Sequence, residues 1–339
     1  MDKHLMLLAV FASLIFACSV PTTSVKKNQT PLREEAFKIG IVNPADYQNI
    51  VGDTIKILSW NVEHFIDAYD NPYTNNERED WCDRMDGRQA LLVEALQKAD
   101  ADIVVLQEFE HVQFLRQIAE DHLSDMNYRF FADNESPTWY MNVVVMSRVP
   151  LGIIYGYGSV TTPLTYISEE TGEKVYETQN RINTRMWSID VLVHDDYSFL
   201  LTGVHLKAGR GPRNEAMRLG QLQFLKGQFE RFLRENPAKN ILAVGDFNAT
   251  PDSKEMQFML KGGSRAQFID NLNPSDFTHP ADTPRWRIDH ILPNDNMQTE
   301  LIPGSIAVKY FFDTLTQYQL ADHLPMVAEF ITQDFIPKQ

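Results

Sequence analysis

The chain is expected to fold as an α/β (α+β) protein in which two packed β-sheets are covered by helices, and three observations carry that expectation. Short β-rich runs recur along most of the sequence, the helical patterns between them are few and separated, and no repeat or long Pro/Gly-rich linker splits the chain. Strands that follow one another without an intervening helix point to paired sheets, not to a strictly alternating parallel sheet. With 339 residues, 43% hydrophobic and 11% aromatic, the chain can bury a sizeable core.

Taken in order, the first residues read as an export signal. Asp2 and Lys3 precede an almost entirely apolar run over 5–17, which is too short to span a bilayer, and Cys18 follows. The stretch Ile15-Phe16-Ala17-Cys18 resembles a bacterial lipobox, with a small residue before a thiol that would be acylated, although Phe16 departs from that pattern. The expectation is a signal peptide over 1–18 and a membrane tether through lipidated Cys18, which makes the protein an exported lipoprotein of the bacterial cell envelope. A plain cleaved signal, giving a periplasmic or secreted protein, and a retained anchor are the alternatives. The two cysteines are Cys18 and Cys82, so neither a disulfide scaffold nor a cysteine-based zinc site is expected.

Residues 19–52 lack sustained apolar periodicity and read as a tether, and a single folded domain is expected over 53–335. Within it, β-rich runs fall at 54–62, 102–107, 141–147, 186–193, 198–205, 241–245, 288–292 and 325–331. Helical spacing places Leu91, Leu92, Ala95, Leu96 and Ala99 on one face, and Met217, Leu222, Leu225, Phe229, Phe232 and Leu233 on another. Both stripes are core contacts in the ordinary reading.

The net charge of −15 opposes passive binding of polyanions. It opposes enzymatic hydrolysis of a phosphate ester only weakly, because a bound divalent cation concentrates positive charge where the chemistry occurs.

Polar residues able to bind metal or move protons sit repeatedly at the borders of the β-rich runs. Asn61, Glu108, His205 and Asp246 each stand at the end of one, with Asn248 two residues beyond Asp246, while Arg287-Ile288 leads into Asp289 and Asp322-His323 precede the last. Singly, an Asp or Asn there is usually a turn or cap residue, and a lone His is usually a satisfied side chain. Together, if the run ends converge, they form a site of hard oxygen ligands suited to Mg²⁺ or Mn²⁺. No nucleophilic Ser or Cys motif and no Gly-rich phosphate loop is evident, which speaks against an NTPase.

The segments Ser59-Trp60-Asn61-Val62, Gln107-Glu108, Asn142 to Arg148, His205-Leu206-Lys207, Gly245-Asp246-Phe247-Asn248, Arg287-Ile288-Asp289-His290 and Asp322 to Met326 resemble, in order and spacing, the motif set of the endonuclease/exonuclease/phosphatase family. The resemblance covers about residues 54 to 331. It implies a single-domain four-layer sandwich of two mixed β-sheets packed face to face and flanked by α-helices, with the site at the strand ends. It also implies roles: Asn61, Glu108 and Asp322 as metal ligands, Asn61 directly or through water. His323 would activate water or contact the phosphate, and Asp289 would orient its ring. Asp246 and Asn248 would position the attacking water, and His205 would protonate the leaving oxygen or bind the phosphate. Which of His205, His323 and Asp246 moves protons is left open by the resemblance.

Other residues have two readings each. Arg185 contacts a phosphate or pairs with an acid; Asn142 supports the site through hydrogen bonds or touches substrate. Lys207, Arg210 and Arg213 form either a solvated loop or an anion-contacting one. Trp139, Tyr140, Trp286 and the stretch from Tyr155 to Tyr157 offer stacking surfaces or core packing. The expected activity is Mg²⁺-dependent hydrolysis of a phosphodiester, with nucleic acid the first substrate class, a lipid or inositol phosphate the second, and non-catalytic binding of a phosphate ligand the third. No protein partner is indicated.

Overall fold

The computed structural model describes residues 46–69, 82–135, 139–158, 160–179, 185–262 and 265–334. The expected signal segment with Cys18, the tether up to residue 45 and the domain end at Phe335 lie outside the described residues. In chain order the elements are β1 (Thr54–Phe65), α1 (Cys82–Ala99), β2 (Ile103–Phe109), α2 (Val112–His122), β3 (Phe130–Asp133), β4 (Asn142–Ser147), β5 (Leu151–Gly156), β6 (Thr162–Ile167) and β7 (Lys174–Gln179). They continue with β8 (Met186–His194), β9 (Tyr197–His205), α3 (Pro212–Glu235), β10 (Ile241–Asp246), α4 (Lys254–Lys261), β11 (Asp289–Pro293), α5 (Asp295–Gln298), β12 (Ala307–Val308), α6 (Thr314–Leu320) and β13 (Met326–Ile331).

These strands build a six-stranded sheet, β12-β13-β1-β2-β4-β3, and a five-stranded sheet, β11-β10-β9-β8-β5, with β6 and β7 as a separate hairpin. Both large sheets are mixed and repeat one plan. A central parallel pair, β1 with β2 or β9 with β10, is flanked on each side by antiparallel strands. Parallel neighbours need a long crossover, and α1 and α3 supply it.

Period-2 alternation sorts the strand side chains into three apolar layers. Ile55, Ile57, Ile103, Val105, Val143 and Val145 meet Trp187, Ile189, Leu201, Leu242 and Val244 between the sheets. Leu58, Trp60, Val104 and Leu106 face outward onto Leu92, Ala95 and Leu96 of α1 and Leu115 and Ile118 of α2. Leu200, Val204, Ile241 and Ala243 face outward onto Leu222, Leu225 and Phe229 of α3 and Met256 and Met259 of α4. Helix, sheet, sheet and helix thus make four layers, as the sequence led us to expect.

Ordered contacts begin before Asp53. Arg129 pairs with Asp46 at 3.1 Å, Tyr47 packs edge-on against Phe130, and Asn49 donates to the Val193 carbonyl at 2.8 Å. Among the described residues no helix is long and apolar enough to cross a membrane.

Candidate active site

The repeated sheet plan delivers polar residues to one edge of the sandwich. β1, β2, β9 and β10 end there, and the strands antiparallel to them begin there, so Asn61, Glu108, His205 and Asp246 at ends meet Asn142, Arg185, Asp289 and His323 at or just before beginnings. Asn61, His205 and Asp246 share the inward parity of Ile57, Leu201 and Val244, so the two sheets present them to each other. The amide of Asn61 crosses that gap, donating to Asp246 Oδ2 at 3.1 Å and to Glu108 Oε1 at 3.3 Å.

Glu108 has the opposite parity and reaches the site through a bulge. Leu106 and Phe109, three residues apart, both face the outer core, and the register with β4 shifts between Gln107 and Phe109. At the bulge Glu108 has φ 57°, a left-handed value costly for a residue with a side chain. β1 carries a matching irregularity: Val62 and Phe65 both face outward, and Glu63 and His64 have φ 49° and 46°. Arg88 of α1 braces that bulge by donating to the Val62 carbonyl at 2.6 Å and to the Leu320 carbonyl at 2.9 Å. Asn248, also left-handed at φ 49°, completes a set of strained non-glycine residues gathered at one edge.

Gly245 is required where it stands. Its φ is 133°, and a Cβ there would lie 2.0 Å from the Val204 carbonyl oxygen, so β10 approaches β9 closely enough to set Asp246 opposite His205.

Around Asp246, the Asn248 backbone N–H donates to Oδ1 at 2.7 Å and the Asn248 amide to Oδ2 at 3.0 Å. Despite these donors its pKa is pushed up to about 7, first by burial and then by the neighbouring charge of Asp289. His323 Nδ1 lies 2.8 Å from Asp289 Oδ2, and the Trp60 indole holds the His323 carbonyl at 2.8 Å. Burial opposes charge on His323, but Asp289, by charge and hydrogen bond, and then Asp246 and Asp322 outweigh it and keep its pKa well above the usual histidine range. His205 behaves oppositely. Its Nε2 sits 3.6 Å from both Glu108 and Asp246, yet burial, then Arg185, His323 and other cations, hold its pKa well below normal.

Asp322 is half-exposed and lies nearer His279 Nε2, at 3.5 Å, than His323 Nε2, at 3.8 Å. Its backbone N–H donates to Glu63 Oε2 at 3.1 Å, and the Glu63 carboxyl is pushed up to about 7 by burial, then by Asp322. His64 Nε2 lies 3.4 Å from Glu108 Oε2, so Glu63, His64 and His279 all belong to this cluster, although the sequence did not single them out. Glu63 and His64 directly follow the Ser-Trp-Asn-Val motif, and two consecutive polar residues beyond a strand's last apolar position were the available signal.

Asn142 is buried and donates to the Glu110 carbonyl, holding the turn after Glu108, which is a supporting contact. Arg185 has no carboxylate within ion-pair distance among the described residues; its Nη1 lies 3.3 Å from His205 Nδ1, and its guanidinium packs over Trp139. Its Nε is buried without a partner. His64, Glu108, Trp139, Met141, Gln179, Arg185, His205 and Lys207 line a cleft of about 400 Å³ beside the carboxylates. Of the basic loop residues, Arg213 pairs with Glu177 at 2.9 Å, Lys207 lines the cleft, and Arg210 packs on Trp286. Tyr155 and Tyr157 pack against Phe232 and Phe224, away from any stacking role in the cleft.

Comparisons with known proteins bear on this arrangement. The chain is similar in fold to D. rerio TDP2 complexed with single strand DNA product, at 16% identity and a TM-score of 0.52, covering 83% of this chain and 100% of that one. The human Nocturnin catalytic domain with bound sulfate anion matches at 16% identity and a TM-score of 0.52, covering 87% and 97%. An endonuclease/exonuclease/phosphatase from Bacteroides vulgatus matches at 15% identity and a TM-score of 0.52, covering 83% and 99%. No curated protein matches the sequence. A sequence profile described as Endonuclease/Exonuclease/phosphatase family matches residues 58–307, which span most of both sheets and include Asn61, Glu108, His205, Asp246 and Asp289 but not Asp322 or His323. The chain belongs to the endonuclease/exonuclease/phosphatase family.

Proposed function

We propose that the protein is a divalent-metal-dependent phosphodiesterase, and that its substrate is nucleic acid outside the cytoplasm. The observation that carries the chemical part is that side-chain atoms of His323, Asp289 and the buried Asp246 lie within 4.8 Å of one another at one edge of the sandwich, with His323 Nδ1 held by Asp289. Support for the substrate class comes from family membership and from the single strand DNA product bound by the D. rerio relative.

The donor set fits a hard divalent cation. Glu63, Glu108, Asp246, Asp289 and Asp322 crowd together, two of them are pushed up to about 7 in part by like charge, and Asp289 Oδ1 is buried without a partner. Such a surplus of carboxylate is relieved by a cation bound through oxygen. Glu108 and Asp322 would hold it, with Asn61 directly or through water; the Asn61 Oδ1 already accepts the Glu63 N–H at 3.0 Å, which leaves it one lone pair. Mg²⁺ or Mn²⁺ would supply Lewis-acid charge on a phosphate oxygen.

The chain's own groups do the rest. Asp246, with a pKa near neutrality, accepts the proton of the attacking water, and Asn61 and Asn248 hold its carboxylate by donated hydrogen bonds. His323, charged and held at Nδ1 by Asp289, gives its Nε2 proton to the departing oxygen as the phosphorus–oxygen bond breaks. His205 stays neutral and serves as a hydrogen-bond donor to the phosphate, and Arg185, without a carboxylate partner, takes a phosphate oxygen. Acylation of Cys18 would keep this site at the cell envelope.

The test is hydrolysis by the purified protein, with Mg²⁺ and with chelator, across plasmid DNA, single-stranded RNA, sphingomyelin and inositol phosphates. Chelator-sensitive cleavage of nucleic acid is expected. Turnover of a lipid or inositol phosphate with DNA left intact would replace the substrate assignment, and no turnover of any would leave the third class, a phosphate-ligand binding protein.

A further inference from the structure

Beside the proposed catalytic edge lies a second arginine–aromatic grouping that takes no part in the proposed proton transfers. Arg285 packs over Trp286 at 4.3 Å from the ring centroid, and Arg210, from the loop before α3, packs on the same ring at 5.0 Å. Trp286 is joined to the site through His279. Their rings stack at 5.9 Å and 25°, His279 lies 4.7 Å from the His323 ring, and its Nε2 is 3.5 Å from Asp322. Trp286 thus sits two ring contacts from the proposed acid.

Among the described residues Trp286 is the one ring that carries two arginines. Net charge is −15, and Arg129, Arg148, Arg213, Arg218 and Arg287 each pair with a carboxylate. Arg210 and Arg285, both exposed, have no acid within ion-pair distance among the described residues, yet they converge on one indole. Stacking uses the flat face of a guanidinium and leaves its N–H edge open to a planar or tetrahedral anion. Two such edges at one ring make a local positive patch on an acidic protein.

We propose that Arg210, Trp286 and Arg285 form a subsite for a second phosphate of the substrate, adjacent to the phosphate being cleaved. This rests on the phosphoesterase reading above. The phosphate is either the flanking one of a single-stranded oligonucleotide or another on an inositol ring; the chemistry recognised is the same.

The test compares the wild-type protein with the double variant Arg210→Gln, Arg285→Gln, which keeps most of the side-chain bulk and removes both charges. Substrates come in pairs, a dinucleoside monophosphate with a trinucleotide carrying one more phosphate, and inositol monophosphate with inositol bisphosphate. The variant is expected to lose about tenfold in kcat/KM on the larger member of the pair it uses and to keep its rate on the smaller; the pair affected identifies the source. Equal losses on both members, which mere support of Trp286 would give, or no loss on either, would overturn the subsite. Independently of turnover, anisotropy of a fluorescein-labelled single-stranded oligonucleotide in chelator should show a salt dependence of log K that flattens by about 0.7 for each phosphate contact removed. Flattening without any hydrolysis would keep the subsite and reject the phosphoesterase reading. Hydrolysis with unchanged rate ratios and unchanged slope would do the reverse.

Discussion

His323 and Asp246 form a pair whose proton affinities are set by the groups packed around them. Asp289 holds the imidazole charged, and burial beside that same carboxylate raises Asp246 to about 7. Under the proposed mechanism the acid limb of the pH–rate profile would belong to Asp246, and activity should fall about tenfold per unit below neutrality as its carboxylate protonates. Replacing Asp289→Asn should pull the alkaline limb to lower pH, since His323 loses its main source of positive shift; an unmoved limb would contradict that assignment. His323→Ala should cost about 10²- to 10⁴-fold in turnover with the fold retained, and near-normal turnover would remove His323 from the chemistry. At this scale the sequence was readable where a motif names its residue, as in Gly245-Asp246-Phe247-Asn248 and Asp322-His323. It was unreadable where the partner arrives from elsewhere in the chain. His279 meets Asp322 across a loop, and Glu63 meets it across 259 positions, so no spacing rule could have joined them.

Strand ends give the site its shape, and two of them depart from regular geometry. The bulges at Glu63-His64 and Glu108 re-aim side chains that plain alternation would point elsewhere, and the buried Arg88 braces the first. Gly245→Ala should destabilise the fold by on the order of 3 kcal/mol, because the new methyl meets backbone at 2.0 Å and the φ suits only glycine. Gly227→Ala is the control. It lies within α3, nothing stands within 4 Å of its Cβ position, and it should stabilise by about 0.5–1 kcal/mol. Denaturant midpoints decide both, and a neutral Gly245→Ala would show that β10 does not need its close approach to β9. The elements found from sequence, such as β1, β2, β9 and β10, are largely buried on both faces; β2 and β10 read as nearly continuous apolar runs, while β1 and β9 are apolar runs interrupted by residues such as Lys56, Ser59 and Thr202. Those missed are half-exposed, as in β5 and β6, or short, as in α4, whose brief apolar pattern does not separate helix from strand; α2, at 11 residues with Val112, Leu115, Ile118 and Ala119 buried, carried a helical spacing that was readable.

For the molecule as a whole, the crowded carboxylates link stability to pH and, at the proposed cation site, would link it to metal. Glu63, Asp246 and Glu300 are each pushed up to about 7, chiefly by burial, from ordinary values of 4.5, 3.8 and 4.5. The folded protein then keeps protons that the unfolded chain gives up between about pH 4 and 7, so their contribution is complete below that window and is lost as pH rises through it. His323, raised as well, acts in the same sense. In chelator, the unfolding temperature should be higher at pH 5 than at pH 8, and Mg²⁺ should raise it more at pH 8, where the ligands are ionised. A chelated protein more stable at pH 8, or one indifferent to Mg²⁺, would count against a shared cation site. The two-sheet, helix-covered architecture was legible in the sequence because its layers are apolar in register; the common edge where the strand borders meet was an expectation that only topology could turn into distances. The most direct measurement is the Mg²⁺ dependence of bis(4-nitrophenyl) phosphate hydrolysis by the wild-type protein and by Glu108→Gln. The account expects chelator to abolish the wild-type rate and the variant to need at least about tenfold more Mg²⁺ for half-maximal activity. A rate indifferent to chelator, or identical titrations for the two proteins, would contradict metal-assisted hydrolysis at this edge.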